Sequence, residues 1–404
     1  MKVLQANKFF YIKGGSGRVF FDTIRILEER GHDVATFSMK DDNNFPSQFS
    51  DYFIENIDFS KASGTLAGLK KAGHFLYSLE SRSKIETLIK QAQPDVAHLH
   101  NFTHQLTVSI LSALKKNKIP IVQTLHDYQL ICPNYRMFTG GQVCERCKKR
   151  KFYNAILHKC VANSVVKSAL LATDLSFQRL FKLYEEKVDA FIAPSLFLKN
   201  KMQEWGVIKP IYHIPYSVNF EQYVPNPEPG NYLLYVGRLS EEKGLVTLLK
   251  AMRELPDVAL KIVGNGPLRS HLVNYVMKKN IKNVEFLGSR YGSALDDIIR
   301  YARFIVVPSE WYENYPMAIL EAMASGKPVL GARIGGIPEM VENDKTGWLF
   351  EPLNAEDLID KIQKVVGNED LIKECGSNAR KIVEQKNCSR LYYEALMAVY
   401  KYVA

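Results

Sequence analysis

The sequence predicts an α/β protein made of two doubly wound halves. Three observations predict it. Short apolar runs alternate with helical stretches along the whole chain, and its 404 residues exceed what one ordinary core holds. A proline-punctuated segment, Ile208–Gly230, divides the alternation near its middle. Strands separated by helix-length connections pair in parallel, because a parallel neighbour needs a crossover of a dozen residues or more. A hydrophobic content of 46% and a charged content of 24% are globular values.

In the first half the expected strands are Val3–Ala6, Val34–Ser38, Val96–Leu99, Ile121–Leu125 and Ala190–Ala193. They are short and nearly all apolar, as strands buried on both faces are. Helices are expected after Gly17, Glu80, His104, Asn163 and Ser195. In the second half the expected strands are Leu233–Val236, Ala259–Val263, Val284–Leu287, Phe304–Val307 and Val329–Leu330, with helices after Gly244, Pro267, Ser293, Pro316 and Asn354. Pro210, Pro215, Pro225, Pro227 and Pro229 mark the linker, and Ser389–Val403 reads as an amphipathic aromatic helix. Residues 40–80 are the least regular stretch.

The most informative pair is Glu313 and Glu321, eight residues apart in a segment that continues through Asn314, Tyr315, Pro316 and Met317. Pro316 suits a helix start, and Met317–Ala324 is strong helix former throughout. Eight residues along a helix span roughly 12 Å. That is a plausible separation between a sugar and a ribose joined through a diphosphate, with the N–H groups of the helix start favouring the anion between them. Glu313 would then take sugar hydroxyls and Glu321 the ribose. A lone pair of glutamates is more often a cap and solvated surface, so the surrounding segments carry the argument. Upstream, the strand ending at Val236 runs into Gly237, Arg238 and Lys243, a planar fork and a point charge suited to a departing diphosphate. Then come Gly264-Asn265-Gly266-Pro267 and Val284–Gly288, and downstream Gly326–Leu330 and Gly335-Gly336-Ile337-Pro338-Glu339. In the first half Gly14-Gly15-Ser16-Gly17 joins the first strand to its helix, and His126 ends a strand in Leu125-His126-Asp127-Tyr128.

This ordered set resembles the retaining glycosyltransferases of family 4 over nearly the whole chain, apart from a cysteine-bearing insertion near residues 132–160. The resemblance implies the GT-B fold, two Rossmann-like domains facing a deep cleft. The expected limits are 1–209 for an acceptor-side domain, 210–386 for a nucleotide-sugar domain, and 387–404 for a terminal helix returning to the first. It implies a nucleoside diphosphate sugar donor, a glycan or lipid-linked acceptor, and transfer with retained configuration by same-face attack. Among site residues it implies His126 on the transferred sugar and Gly15 and Ser16 at the donor phosphate. Gly264, Asn265 and Gly266 would line the nucleotide with Arg290 nearby, and Glu339 would lie beside it. Acceptor contacts fall to the irregular stretch 40–80, and His100 is a further candidate there. Asp127 is the candidate for orienting His126. Two alternatives stay open: another GT-B reaction, inverting transfer or phosphorolysis, and a nucleic-acid-binding protein using the cysteines and the basic run.

No catalytic metal is expected, since Asp41-Asp42 and Asp296-Asp297 are adjacent pairs without an Asp-x-Asp unit, and cations with helix dipoles can act instead. Cys132, Cys144, Cys147 and Cys160 cluster in the insertion and include a C-x2-C pair, which suits a structural zinc in a reducing compartment, with free buried thiols as the alternative. Residues 1–205 hold 29 Lys and Arg against 19 Asp and Glu, so the first half carries the whole net charge of +10. That asymmetry, with Lys148–Lys151, points to an anionic partner such as a membrane surface; no nucleic-acid module is recognisable. Lys8, Lys13 and Arg18 break any apolar leader, and no run approaches the ~20 apolar residues of a membrane span. A cytoplasmic protein in peripheral contact with the inner face of the membrane is therefore expected.

Overall fold

A computed structural model describes residues 1–56 and 73–404. The chain forms two compact units. One comprises Met1–Tyr135, Glu145–Ile214 and Tyr392–Ala404, the other Arg136–Cys144 and Pro215–Leu391.

The first unit is built on a parallel sheet of β1 (Lys2–Ala6), β2 (Asp33–Phe37), β3 (Val96–Leu99), β4 (Ile121–Thr124), β7 (Ala190–Ala193) and β8 (Ile211–His213), in the order β2-β1-β3-β4-β7-β8. Between β4 and β7 lies a two-stranded hairpin, β5 (Phe138–Thr139) and β6 (Gln142–Val143), which groups with the second unit. Its turn residues Gly140 and Gly141 have φ of 62° and 73°, the pair of positive values that a tight hairpin turn requires. The apolar runs are buried as expected: Val3, Val96, Val122 and Ala190 share one core with Phe20, Ile26 and Leu27 of the helix Gly15–Glu28. The terminal helix Ser389–Val403 joins that core through Tyr392, Leu396, Val399 and Tyr400.

The second unit has β9 (Tyr232–Val236), β10 (Ala259–Val263), β11 (Val284–Gly288), β12 (Phe304–Val307), β13 (Val329–Ala332) and β14 (Gly347–Phe350), all parallel, in the order β11-β10-β9-β12-β13-β14. The chain winds outward from β9 to β11, then returns to the other side of β9 as β12. The loops leaving β9 and β12 therefore part in opposite directions, which makes the place where ligands bind in open α/β sheets. Helices on this unit bury Leu245, Leu248 and Leu249 of Leu245–Arg253, and Leu358 and Ile362 of Ala355–Val366, against the sheet.

Several elements depart from the sequence reading. β8 lies inside the proline-rich segment, where Pro210 and Pro215 disguise a three-residue edge strand; the Pro210 carbonyl accepts from Phe191 N–H at 2.9 Å. β14 was not expected, and the long helix Glu369–Lys386 contains Cys375, which reads as a helix residue, but its limits were not expected. That helix is capped by Asn368, whose Oδ1 accepts from Leu371 N–H at 3.1 Å. The helix expected after Gly17 begins at Gly15, so Gly15 and Ser16 are its first turn, and the helix expected after His104 begins at Ser109.

Candidate functional site

In the second unit the two loops at the winding reversal bring two of the predicted residues, Lys243 and Glu313, together. Glu313, 5% exposed, accepts from Lys243 Nζ at 2.5 Å and from Ser309 Oγ at 2.6 Å on the same oxygen, Oε1. Burial alone would push its carboxyl up, but Lys243 and the Ser309 hydroxyl outweigh burial and hold it below the ordinary carboxylate range. The carboxylate is thus ionised and aimed before any ligand arrives. Lys243 Nζ also lies 5.1 Å from the centre of the Trp311 ring. The Glu313 backbone is fixed from behind: its carbonyl accepts from Gly336 N–H at 2.7 Å. Gly335, at φ 61°, packs so close that a Cβ would stand 2.3 Å from the Glu313 oxygen. The Gly335–Glu339 segment thus supports Glu313; the Glu339 side chain is itself exposed.

Arg238 is exposed at the end of the glycine turn, with its carbonyl held by the Tyr235 phenol at 2.9 Å. Behind it, Leu239 N–H donates to Asn265 O at 3.0 Å. A Cβ on Gly264, at φ 140°, would meet the Gly237 oxygen at 1.9 Å. Gly264 and Gly266 therefore pack backbone against backbone, on Gly237 and Leu239, where no side chain fits, and a Cβ on Gly237 would stand 2.8 Å from the Tyr235 phenol oxygen. Asn265 folds back on Gly266 N–H, and Arg290 is exposed on the neighbouring loop.

The helix Met317–Ala324 begins just after Pro316, which stands at the cap instead of in the first turn. Asn314, Met317 and Glu321 are buried, and the Tyr315 hydroxyl accepts from Asn387 Nδ2 at 2.9 Å. Thr247 Oγ1 donates to buried Glu310 at 2.6 Å, tying the β12 loop to the neighbouring helix. Ser309, which fixes Glu313, was not singled out from sequence; its place four residues upstream is the only sign.

In the first unit His126 follows β4 and is half-buried, its imidazole pushed down to about 3 by burial. Its Nε2 meets His100 Nδ1 at 2.9 Å, and the two rings stack. His100 is thus an orienting partner, while Asp127 accepts from Gln129 N–H at 2.9 Å. His100 is 1% exposed, which corrects the expectation that it meets an acceptor: it sits behind His126. Ser16 Oγ accepts from Asn101 Nδ2 at 3.1 Å, so the first turn of the glycine helix leans on the loop after β3. Of the stretch proposed for acceptor contacts, residues 57–72 lie outside the described residues.

In the insertion Cys147 is buried with Phe152, Ala155, Ala172 and Leu175, and Cys160 packs against the same cluster. Asn134 links two other points, accepting from Cys132 Sγ at 3.0 Å and donating to the Cys160 carbonyl at 3.4 Å. Cys144 N–H donates to Met137 O at 2.7 Å. Among the described residues no group of three or more His, Cys, Asp or Glu is placed to hold a metal ion.

Comparisons with known proteins agree with this architecture. The Arabidopsis thaliana sulfoquinovosyl transferase is 27% identical over 387 residues, 95% of this chain and 69% of its own. An uncharacterized glycosyltransferase of Methanocaldococcus jannaschii is 25% identical over 94% of this chain and 92% of its own. Sucrose-phosphate synthase from Thermosynechococcus elongatus has the same fold, with a TM-score of 0.74 at 19% identity over 99% of this chain and 98% of its own. So does HepE of Anabaena in its complex with UDP-glucose, with a TM-score of 0.70 at 17% identity over 99% and 100%. The sequence model for glycosyl transferases group 1 matches residues 219–382. That for glycosyltransferase family 4 matches residues 13–222, more than half the chain, and the chain therefore belongs to family 4, whose GT-B enzymes act on nucleotide-sugar donors.

Proposed function

We propose that the enzyme transfers a hexosyl group, with retention, from a nucleoside diphosphate sugar to a hydroxyl of a glycan or lipid-linked acceptor in surface polysaccharide or glycolipid assembly. The observation that carries this is the Glu313 carboxylate, buried and ionised beside Lys243 at the winding reversal. An ionised carboxylate with one oxygen already bound by cation and hydroxyl has lone pairs left for sugar hydroxyls. Lys243 has three donors, one of them used on Glu313, and the others suit phosphate oxygens. Arg238, exposed on the same loop, would share the charge that grows on the leaving diphosphate. Glu321 would take the ribose, with Asn314, Tyr315, Pro316 and Met317 carrying the helix start between the two carboxylates. Gly237, Gly264, Asn265, Gly266 and Arg290 would border the nucleotide. Gly15, Ser16 and His126 would meet the phosphate and the sugar. Attack on the face that the diphosphate leaves accounts for retention, the leaving oxygen taking the acceptor proton. A screen of nucleoside diphosphate sugars by thermal shift and donor hydrolysis tests the reading; stabilisation by none of them would refute it. Arg238 and Lys243 can supply the charge a metal supplies elsewhere, so transfer is expected to survive EDTA in folded protein, and a loss restored by magnesium would contradict this.

A structural zinc on Cys132, Cys144, Cys147 and Cys160 is a separate proposal. The C-x2-C spacing and the packing of Cys147 and Cys160 in one cluster support it. Metal analysis of protein purified under reducing conditions decides it, and zinc-free folded protein would reject it.

Peripheral contact with an anionic membrane on its cytoplasmic side is the third proposal. Arg146, Lys149, Arg150, Lys151, Lys159 and Lys167 are exposed around Tyr153, Leu157 and Val166, themselves 56%, 69% and 78% exposed. Lys148, by contrast, pairs with Glu204 and contributes less. No helix among the described residues is long and apolar enough to cross a membrane.

A further inference from the structure

A buried hydrogen-bond chain runs through the first unit from Thr124 to His126. His98 Nε2 lies 2.7 Å from Thr124 Oγ1, and His98 Nδ1 lies 2.7 Å from the Tyr400 hydroxyl. Gln5 Nε2 faces that hydroxyl at 3.2 Å and His98 Nδ1 at 3.4 Å. Gln5 Oε1 lies 3.2 Å from His100 Nε2, and His100 Nδ1 lies 2.9 Å from His126 Nε2. Gln5, His98, His100 and Tyr400 are each 1% exposed or less.

Donor and acceptor rules assign every proton in this chain. An amide nitrogen only donates and an amide oxygen only accepts. Gln5 Nε2 therefore makes His98 Nδ1 an acceptor, so the His98 proton sits on Nε2 and points to Thr124. The Tyr400 hydroxyl accepts from Gln5 and donates to His98. On the other side, Gln5 Oε1 requires the His100 proton on Nε2. That leaves His100 Nδ1 as an acceptor, and the atom facing it, His126 Nε2, must donate. Burial keeps all three rings neutral, His98 and His126 being pushed down to about 3 and His100 well below its ordinary value.

We propose that Gln5, held by Tyr400 of the terminal helix, fixes His126 through His100 as the neutral Nε2–H tautomer, so that His126 meets its ligand only as an acceptor at Nδ1. Gln5, His100 and Tyr400 are then positioning residues. His126 orients a sugar hydroxyl by accepting from it and does not protonate the leaving group. This rests on the reading that His126 contacts the transferred sugar, whereas the tautomer stands without it. Reversing the Gln5 amide would reverse all three imidazoles together, so the chain has one direction set by one side chain.

The test is the 15N spectrum of histidine-labelled protein, with His126 assigned by its loss in His126→Asn. The expected result is a proton on Nε2 and a bare Nδ1 at neutral pH, and a mixture of both tautomers in Gln5→Met. A wild-type His126 carrying its proton on Nδ1, or a mixture, overturns the proposal; this holds even if Gln5→Met fails to fold. Kinetically, Gln5→Met is expected to lower kcat about tenfold with little change in donor KM, and to add nothing in a His126→Asn background. Fully additive losses would show that Gln5 acts by another route. If His126→Asn alone keeps the full rate, the sugar-contact reading fails while the spectrum still decides the tautomer.

Discussion

At the scale of single residues, the enzyme separates two kinds of buried polar group. Glu313 is kept charged because a cation and a hydroxyl reach one of its oxygens. His98, His100 and His126 are kept neutral because their partners are other neutral groups and their burial resists charge. The histidines give the protein a pH dependence of definite sign. Their folded pKa values lie below the ordinary 6.5, so the unfolded chain binds protons first as the medium is acidified. Stability is therefore present above about 6.5 and is lost as pH falls below it. The first unit's Tm should fall between about pH 7 and pH 5, and His98→Gln should flatten that slope if it folds. A slope unchanged in the variant, with the fold intact, would contradict the assignment.

At the scale of elements, the winding order places the loops and the terminal helix braces the first sheet. Leu396 is fully buried among residues of β1, β3 and β4, and Tyr392 meets Thr23 Oγ1 at 2.9 Å. Truncating a buried leucine leaves a cavity and costs about 2–5 kcal/mol. Leu396→Ala should lower the unfolding free energy of the first unit by that amount, read by denaturant titration, and a loss under about 1 kcal/mol would contradict the packing. Most strands were legible from sequence because parallel strands buried on both faces must be apolar along their length. β8 was not, since prolines at both sides read as linker, and neither was β14, which opens on a glycine. The glycine turns after β9 and β10 were legible because glycines forced by close backbone contact, such as Gly264 and Gly266, leave a fixed trace in sequence. The support of Glu313 by Ser309 and of His126 by Gln5 and Tyr400 was not legible. Ser309 is an unremarkable serine, and Tyr400 lies 302 positions from His98, so only the fold brings them together.

At the scale of the whole molecule, charge and chemistry are divided along the sequence. The first half carries the net charge and the second holds the Lys243–Glu313 pair. If the exposed basic and apolar residues of the insertion meet a membrane, binding to anionic vesicles should rise with anionic lipid and fall with salt. Replacing Lys149, Arg150 and Lys151 by Ser should weaken it by about 1 kcal/mol per residue. Absence of binding at low salt, with full activity on a water-soluble acceptor, would remove the membrane from the account. The proposed catalysis is more local, in the cations of the loop after β9, which would stabilise the leaving diphosphate. The most direct measurement is donor kcat/KM for Lys243→Ala, beside a Tm showing that the fold persists. A loss of at least about tenfold is expected, some 1.4 kcal/mol of transition-state stabilisation. Transfer at the wild-type rate by the folded variant would contradict it.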